Sequence, residues 1–192
     1  MKNILLSLFI FIIFSGISCG KQSIDTEYQY MYGESNSVQA LTSSSEGYYF
    51  INGLYLYYCD YETMESLVLC DKPNCLHDKE LDETKKYKCN GFLITDGQPK
   101  LVATYDNYIY CYIDMDFLKD IWEPELIRIS LDGSKRKTVC TLEDNITSMA
   151  LHKGKLYYAT SVISNDEQEV EDGIYEYALK EYDIFKKSVK PI

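Results

Sequence analysis

Tyr48-Tyr49-Phe50-Ile51-Asn52-Gly53-Leu54-Tyr55-Leu56-Tyr57-Tyr58-Cys59-Asp60 places two runs of aromatic and aliphatic residues on either side of an Asn-Gly pair. Asn-Gly between β-formers is a hairpin signal, because both residues tolerate the positive φ of a tight turn. Residues 61–65 then supply a polar turn and residues 66–70 another β-rich run, so the sequence predicts strand, turn, strand, turn, strand. Composition points the same way. Nineteen tyrosines against seven phenylalanines and one tryptophan suit half-buried pleated surface, where the ring packs inward and the hydroxyl reaches solvent or backbone. At 192 residues and 46% hydrophobic content the chain is long enough for one domain with a substantial core.

The same grammar recurs twice. Residues 101–104, the separator Tyr105-Asp106-Asn107, residues 108–113, residues 125–130, the turn Leu131-Asp132-Gly133-Ser134 and residues 136–140 make a second unit. Residues 146–151, His152-Lys153-Gly154, residues 155–160, residues 174–179, a turn over Lys180-Glu181-Tyr182-Asp183 and residues 184–189 make a third. Setting Tyr108-Ile109-Tyr110 over Lys155-Leu156-Tyr157 gives an offset of 47 residues, within the range of one propeller blade. The expectation is an all-β, antiparallel, incomplete β-propeller-like array of about three blade-like units, over about 46–100, 101–145 and 146–192. A closed ring needs about four blades or more, which leaves two raw sheet edges here. A truncated reading frame, or an open array with the 70–89 loop capping one end, is the expected reason, with completion by a second chain as the third reading.

Within the first unit, Leu69-Cys70-Asp71-Lys72-Pro73-Asn74-Cys75-Leu76-His77-Asp78 and Lys88-Cys89-Asn90 bring together three thiols and one of the two histidines, spaced Cys-x4-Cys-x-His-x11-Cys. Pro73 and Asn74 provide a bend that turns Cys75 back toward Cys70. Three thiolates and an imidazole suit a closed tetrahedral zinc site of the structural kind, and zinc itself drives off the thiol protons. Two other readings stay open: a disulfide between Cys70 and Cys75 or between Cys75 and Cys89, natural in an oxidising compartment, and free buried thiols. His77 favours the metal, since a disulfide leaves it without a role. Cys59, Cys111 and Cys140 fall in predicted strands and read as small buried hydrophobes.

The first residues read as targeting, not structure. Met1-Lys2-Asn3, an apolar run over 4–14 broken only by Ser7, and Ser15-Gly16-Ile17-Ser18-Cys19 have the layout of a signal peptide over residues 1–18, and the run is short for a permanent membrane span. Residues 19–45 are polar, without a period of 2 or 3.6, and read as a tether, with the domain proper over 46–192. The formal charge is −11, and −12 once the leader and its Lys2 are gone, so a nucleic-acid partner is not expected. Asp114, Asp116, Asp120 and Glu125 match calcium-loop positions, but Leu118 and Lys119 stand where a ligand and the turn glycine belong, so the stretch reads as an acidic inter-strand loop. Residues 166–172 read likewise as a solvated loop tip.

Two resemblances follow from these residues. Ser15-Gly16-Ile17-Ser18-Cys19 resembles the lipobox of bacterial lipoproteins, with Gly16 where leucine is usual, and implies lipidation of Cys19 and cleavage before it. Glu46-Gly47-Tyr48-Tyr49-Phe50, Leu56-Tyr57-Tyr58, the Cys70–His77 segment, Cys89-Asn90 and Ser130-Leu131-Asp132-Gly133-Ser134 resemble bacterial lipid-anchored β-propeller-like proteins whose activity is not established. The likeness covers about residues 46–160. It implies the cell envelope, on the extracytoplasmic face of the membrane. Catalytic motifs are thin: no Gly-x-Ser-x-Gly, no His-Glu-x-x-His and no phosphate loop, and His152 lies beside a Lys-Gly turn without an acid partner in sequence. The expectation is an envelope-anchored binding module with no assigned catalytic residue and an unknown extracellular ligand or protein partner. The alternative is an enzyme, or an accessory to one, acting on an extracellular glycan or peptide.

Overall fold

A computed structural model describes residues 41–93, 101–113, 124–143, 146–163 and 175–192. These residues form three antiparallel sheets of four strands, each in chain order. The first holds β1 (Leu41–Ser43), β2 (Gly47–Asn52), β3 (Tyr55–Asp60) and β4 (Ser66–Val68). The second holds β5 (Val102–Tyr105), β6 (Tyr108–Ile113), β7 (Glu125–Ser130) and β8 (Arg136–Thr141). The third holds β9 (Ile146–His152), β10 (Lys155–Ile163), β11 (Tyr175–Asp183) and β12 (Ser188–Pro191). The α-helix among the described residues, α1 (Glu83–Lys86), is a single turn between Cys75 and Cys89. Every strand partner is antiparallel, and the chain is all-β.

Register follows the hydrophobic pattern. Tyr49 faces Tyr58 and Ile51 faces Leu56 across the β2–β3 hairpin, which gathers all four on one face of the first sheet. That register closes the hairpin at Asn52 and Tyr55, so the loop is Gly53-Leu54. Gly53 takes φ +58 while Asn52 stays in the strand, where the sequence reading expected both to turn. The equivalent hairpins of the other sheets do use two positive-φ residues, Asp106 and Asn107 (+47 and +62) and Lys153 and Gly154 (+48 and +74), the combination that a two-residue turn between twisted strands requires.

Two expected boundaries move. Residues 41–43, assigned to the tether, form β1: Thr42 is buried, its Oγ1 accepts from the Thr104 backbone N–H at 3.2 Å, and Thr104 Oγ1 donates to Ser43 O at 2.7 Å, tying the first strands of two sheets together. The turn expected over Lys180-Glu181-Tyr182-Asp183 is strand, because β10 continues to Ile163 and pairs with β11 along its whole length, from Lys155 with Asp183 to Ile163 with Tyr175. Lys155 and Lys190 reach Glu181 Oε1 at 2.9 and 3.4 Å, which neutralises the one charge that this pairing buries. The chain turns instead after Asp183, whose Oδ1 accepts from the backbone N–H groups of Phe185 and Lys186.

Alternation along the strands sends side chains to two interfaces. Tyr49, Ile51 and Leu56 of the first sheet, with Leu69 just past β4, meet Val102, Ile109, Cys111, Ile127 and Ile129 of the second. Tyr110, Tyr112 and Leu126, on the opposite face of the second sheet, meet Met149, Leu151, Leu156, Tyr158 and Tyr182 of the third. The second sheet is therefore buried on both faces. The cysteines expected as small hydrophobes lie where strands place them: Cys59 and Cys111 are buried, Cys140 is half-buried, and burial pushes the Cys111 thiol up to about 12.

Candidate metal centre

The face of the first sheet turned away from the second carries Tyr55, Tyr57 and Val68, and the segment after β4 folds over it. Tyr55, Val68, Cys89 and Phe92 form a small buried cluster, with Tyr57, Cys70, Cys75 and Tyr87 packed against it. Tyrosine is apt here because its ring packs on the sheet while its hydroxyl reaches the loop. Tyr55 Oη donates to His77 O at 3.0 Å and Tyr57 Oη to Asp78 Oδ2 at 2.9 Å. The bend at Pro73-Asn74 is made, with Asn74 at φ +61 and the Cys75 N–H donating to Lys72 O at 3.3 Å. His77, at φ +54, opens one 3-10 turn. Asp82 caps α1 by accepting from the Thr84 N–H, and the Cys89 N–H donates to Lys86 O at 2.9 Å, so the helical turn delivers Cys89 to the cluster.

These devices bring Cys70, Cys75, His77 and Cys89 together: their ligand atoms all lie within 4.8 Å of one another. Cys89 Sγ is 3.6 Å from His77 Nδ1. Four ligands around an ion at zinc–sulfur bond length stand roughly 3.8 Å apart, so a small contraction of this arrangement suffices to coordinate a metal. Cys89 is buried and the other three are partly exposed. Beside Cys75 and His77 lies a hollow of about 340 Å³, lined also by Asn74, Lys72 and Lys88. All six described cysteines are free thiols.

Electrostatics divides the thiols. Burial works against the Cys70 thiolate, but the backbone N–H groups of Asn90 and Lys72, with hydrogen bonds from Cys89 and Cys75, outweigh it and lower that pKa. At Cys89 burial comes first and the Cys70 charge second, and together they push the thiol up to about 12. Protein groups alone thus favour the Cys70 thiolate and disfavour the Cys89 one, and a cation bound beside them would supply the positive charge that lets Cys89 ionise. The Asn90 N–H lies 3.4 Å from Cys70 Sγ, an orienting contact of the kind that supports metal ligands.

Sequence reasoning located the four cluster residues and missed their supports. Gly91 approaches Leu69 O so closely that a Cβ would sit 2.9 Å away, and Tyr55, Tyr57, Asn90 and Arg136 hold the loop from outside it. Asn90 had one signal, its place directly after Cys89; Arg136, forty-six residues on, had none. His152 ends β9, half-buried, and is not part of the cluster. Cys19, Asp114, Asp116, Asp120 and the 166–172 stretch lie outside the described residues, while Glu125 begins β7 and accepts from Thr138 Oγ1 at 3.3 Å. No helix among the described residues is long and apolar enough to cross a membrane.

No protein-family model matches the chain, and no curated protein matches it. Among solved structures, the crystal structure of the tricorn protease is similar at 11% identity and a TM-score of 0.34, over 86% of this chain and 17% of that one. The fold described above rests on the strand pairing and not on this likeness.

Proposed function

We propose that this chain is an envelope-anchored lipoprotein, held to the membrane through Cys19, that acts as an interaction module on a propeller-like scaffold. The Cys70/Cys75/His77/Cys89 cluster binds zinc in a structural role. The observation that carries the metal reading is the convergence of those four ligand atoms within 4.8 Å. A thiolate-rich, closed, four-ligand set matches zinc in its structural sites, with no position left for water. The blade-like reading draws support from three consecutive four-stranded sheets in chain order, with the first strands β1 and β5 joined through Thr42 and Thr104. For an interaction role, the support is exposed aromatic surface: Tyr48 and Tyr61 meet edge to face at 4.6 Å on the first sheet, and each keeps more than a third of its surface in solvent.

Elemental analysis of the purified chain from residue 19 onward, run beside a thiol titration, tests the metal. One zinc per chain, with the three cluster thiols becoming reactive only after chelation, is the expected result. A metal-free protein with two fewer titratable thiols would establish the disulfide instead.

A further inference from the structure

The turn between β7 and β8 touches the backbone of the cluster itself. Asn90, directly after the ligand Cys89, is buried. Its Nδ2 donates to Gly133 O at 2.7 Å, and its backbone N–H donates to Cys70 Sγ at 3.4 Å. Arg136 Nη1 donates to Asn90 O at 3.3 Å and also to Phe92 O, both carbonyls that follow the last ligand. Gly133, at φ +73, lies so close beneath Cys70 that a Cβ there would be 2.8 Å from the Cys70 nitrogen. A single residue thus holds a ligand sulfur with its main chain and the second sheet with its side chain.

We propose that ion binding at the four-residue cluster is transmitted to the second sheet through Asn90: the occupied cluster locks the β7–β8 turn onto the first sheet, and the empty one releases it. This rests on the metal reading of the preceding subsection. Between Cys70 and Cys89 the chain makes no strand pairing, only a 3-10 turn and the four residues of α1. After Cys89 the chain is tied to the first sheet again, where the Leu56 N–H donates to Gly91 O at 2.7 Å and the Leu93 N–H to Leu54 O at 2.6 Å. Without an ion it is the eighteen residues between Cys70 and Cys89 that regain freedom, and Cys89 loses its tie to Cys70, Cys75 and His77. Asn90, between Cys89 and the anchored Gly91, then loses the constraint on its N-terminal side, and its side-chain bond to Gly133 O weakens with it. Coupling of this kind is reciprocal, so the docked turn raises ion affinity by the same factor as the ion steadies the turn.

Hydrogen exchange on the chain from residue 19, zinc-loaded and chelated, for the wild type and Asn90→Ala, tests the proposal. In the wild type, zinc should slow the amides of residues 131–136 by about tenfold, the scale of one buried hydrogen bond, while residues 146–160 of the third sheet serve as an internal reference. In zinc-loaded Asn90→Ala, residues 70–93 should remain protected, residues 131–136 should exchange as in the chelated wild type, and zinc affinity should fall by a similar factor. Should chelation unfold the whole chain, the two loaded proteins decide: faster exchange at 131–136 in the variant, with 146–160 unchanged, supports the coupling. Equal rates at 131–136 in both loaded proteins, or in loaded and chelated folded wild type, overturn it. A wild type that takes up no zinc overturns the proposal together with its premise, and metal content identifies that case separately from the exchange data.

Discussion

Cys89 is the most buried residue of the cluster, and burial together with the Cys70 charge pushes its thiol up, so its ionised form depends on a cation nearby. Cys89→Ser keeps the size of the side chain but replaces a soft ligand with a poor one. It should lower zinc content from one per chain toward zero and destabilise the fold by about 2 kcal/mol or more, read as metal content and thermal midpoint in the same preparation. The cluster was legible in the sequence because its ligands are local, two thiols and a histidine within eight residues and the third thiol twelve further on. Its partners Arg136 and Gly133 were not, because a contact between sheets leaves no local spacing to read. Asp132 shows residue-scale chemistry of another kind. Its Oδ1 accepts from Ser130 Oγ, from the Ser134 N–H and from Ser134 Oγ, which hold the carboxyl down at about 2. A carboxylate whose folded pKa lies below the unfolded value contributes stability above the unfolded pKa, near 4, and loses it as pH falls toward the folded value. The stability gap between wild type and Asp132→Asn, below about 1 kcal/mol at this exposed turn, should therefore shrink between about pH 5 and pH 3. Comparing urea midpoints of the two proteins at each pH isolates this group, since protonation of the cluster affects both alike.

At the scale of elements, the β7–β8 turn does two jobs, reversing the chain and seating the second sheet against the cluster. Gly133 meets both demands, a positive φ of +73 and a close approach that leaves no room for a Cβ. Gly133→Ala should cost about 2 kcal/mol or more, from the left-handed backbone and from displacement of the Cys70 main chain, and should weaken zinc binding. A thermal midpoint and a zinc affinity both equal to wild type would show that the turn is not seated as described. Leu131-Asp132-Gly133-Ser134 was legible as a turn because Asp and Gly carry local instructions. The strand pattern was legible for the same reason, through alternation of tyrosine and aliphatic residues. What failed was the end of β11. Lys180, Glu181 and Asp183 look like a polar turn in sequence, but Lys155 pairs with Glu181 from the neighbouring strand and Tyr182 packs in the second interface, so pairing overrode the local preference. Likewise β1 was hidden in a polar segment, where Thr42 gains its burial from Thr104, sixty-two residues away.

For the whole molecule, the proposed anchor and the stacking of sheets make separate claims. If Cys19 carries the proposed anchor, Cys19→Ala should move the protein from the detergent phase to the aqueous phase on partitioning, with its thermal midpoint unchanged, because Cys19 is not among the residues of the three described sheets. Stability should instead centre on the second sheet, the only one of the three with a described sheet on each side. Leu126 and Ile127 are neighbours on β7, yet alternation sends Leu126 into the interface with the third sheet and Ile127 into the interface with the first. Both are fully buried, so Leu126→Ala and Ile127→Ala should each cost about 2–5 kcal/mol in chemical denaturation. If the three sheets form one cooperative unit, each variant unfolds in a single transition, with tyrosine fluorescence and far-ultraviolet circular dichroism coinciding. If the interfaces are independent, Leu126→Ala should release the third sheet first while the first sheet persists, and Ile127→Ala should do the reverse. Since β7 is hydrogen-bonded on both edges and packed on both faces, the loss of either contact is felt by the other through one strand, and the single transition is the expected result.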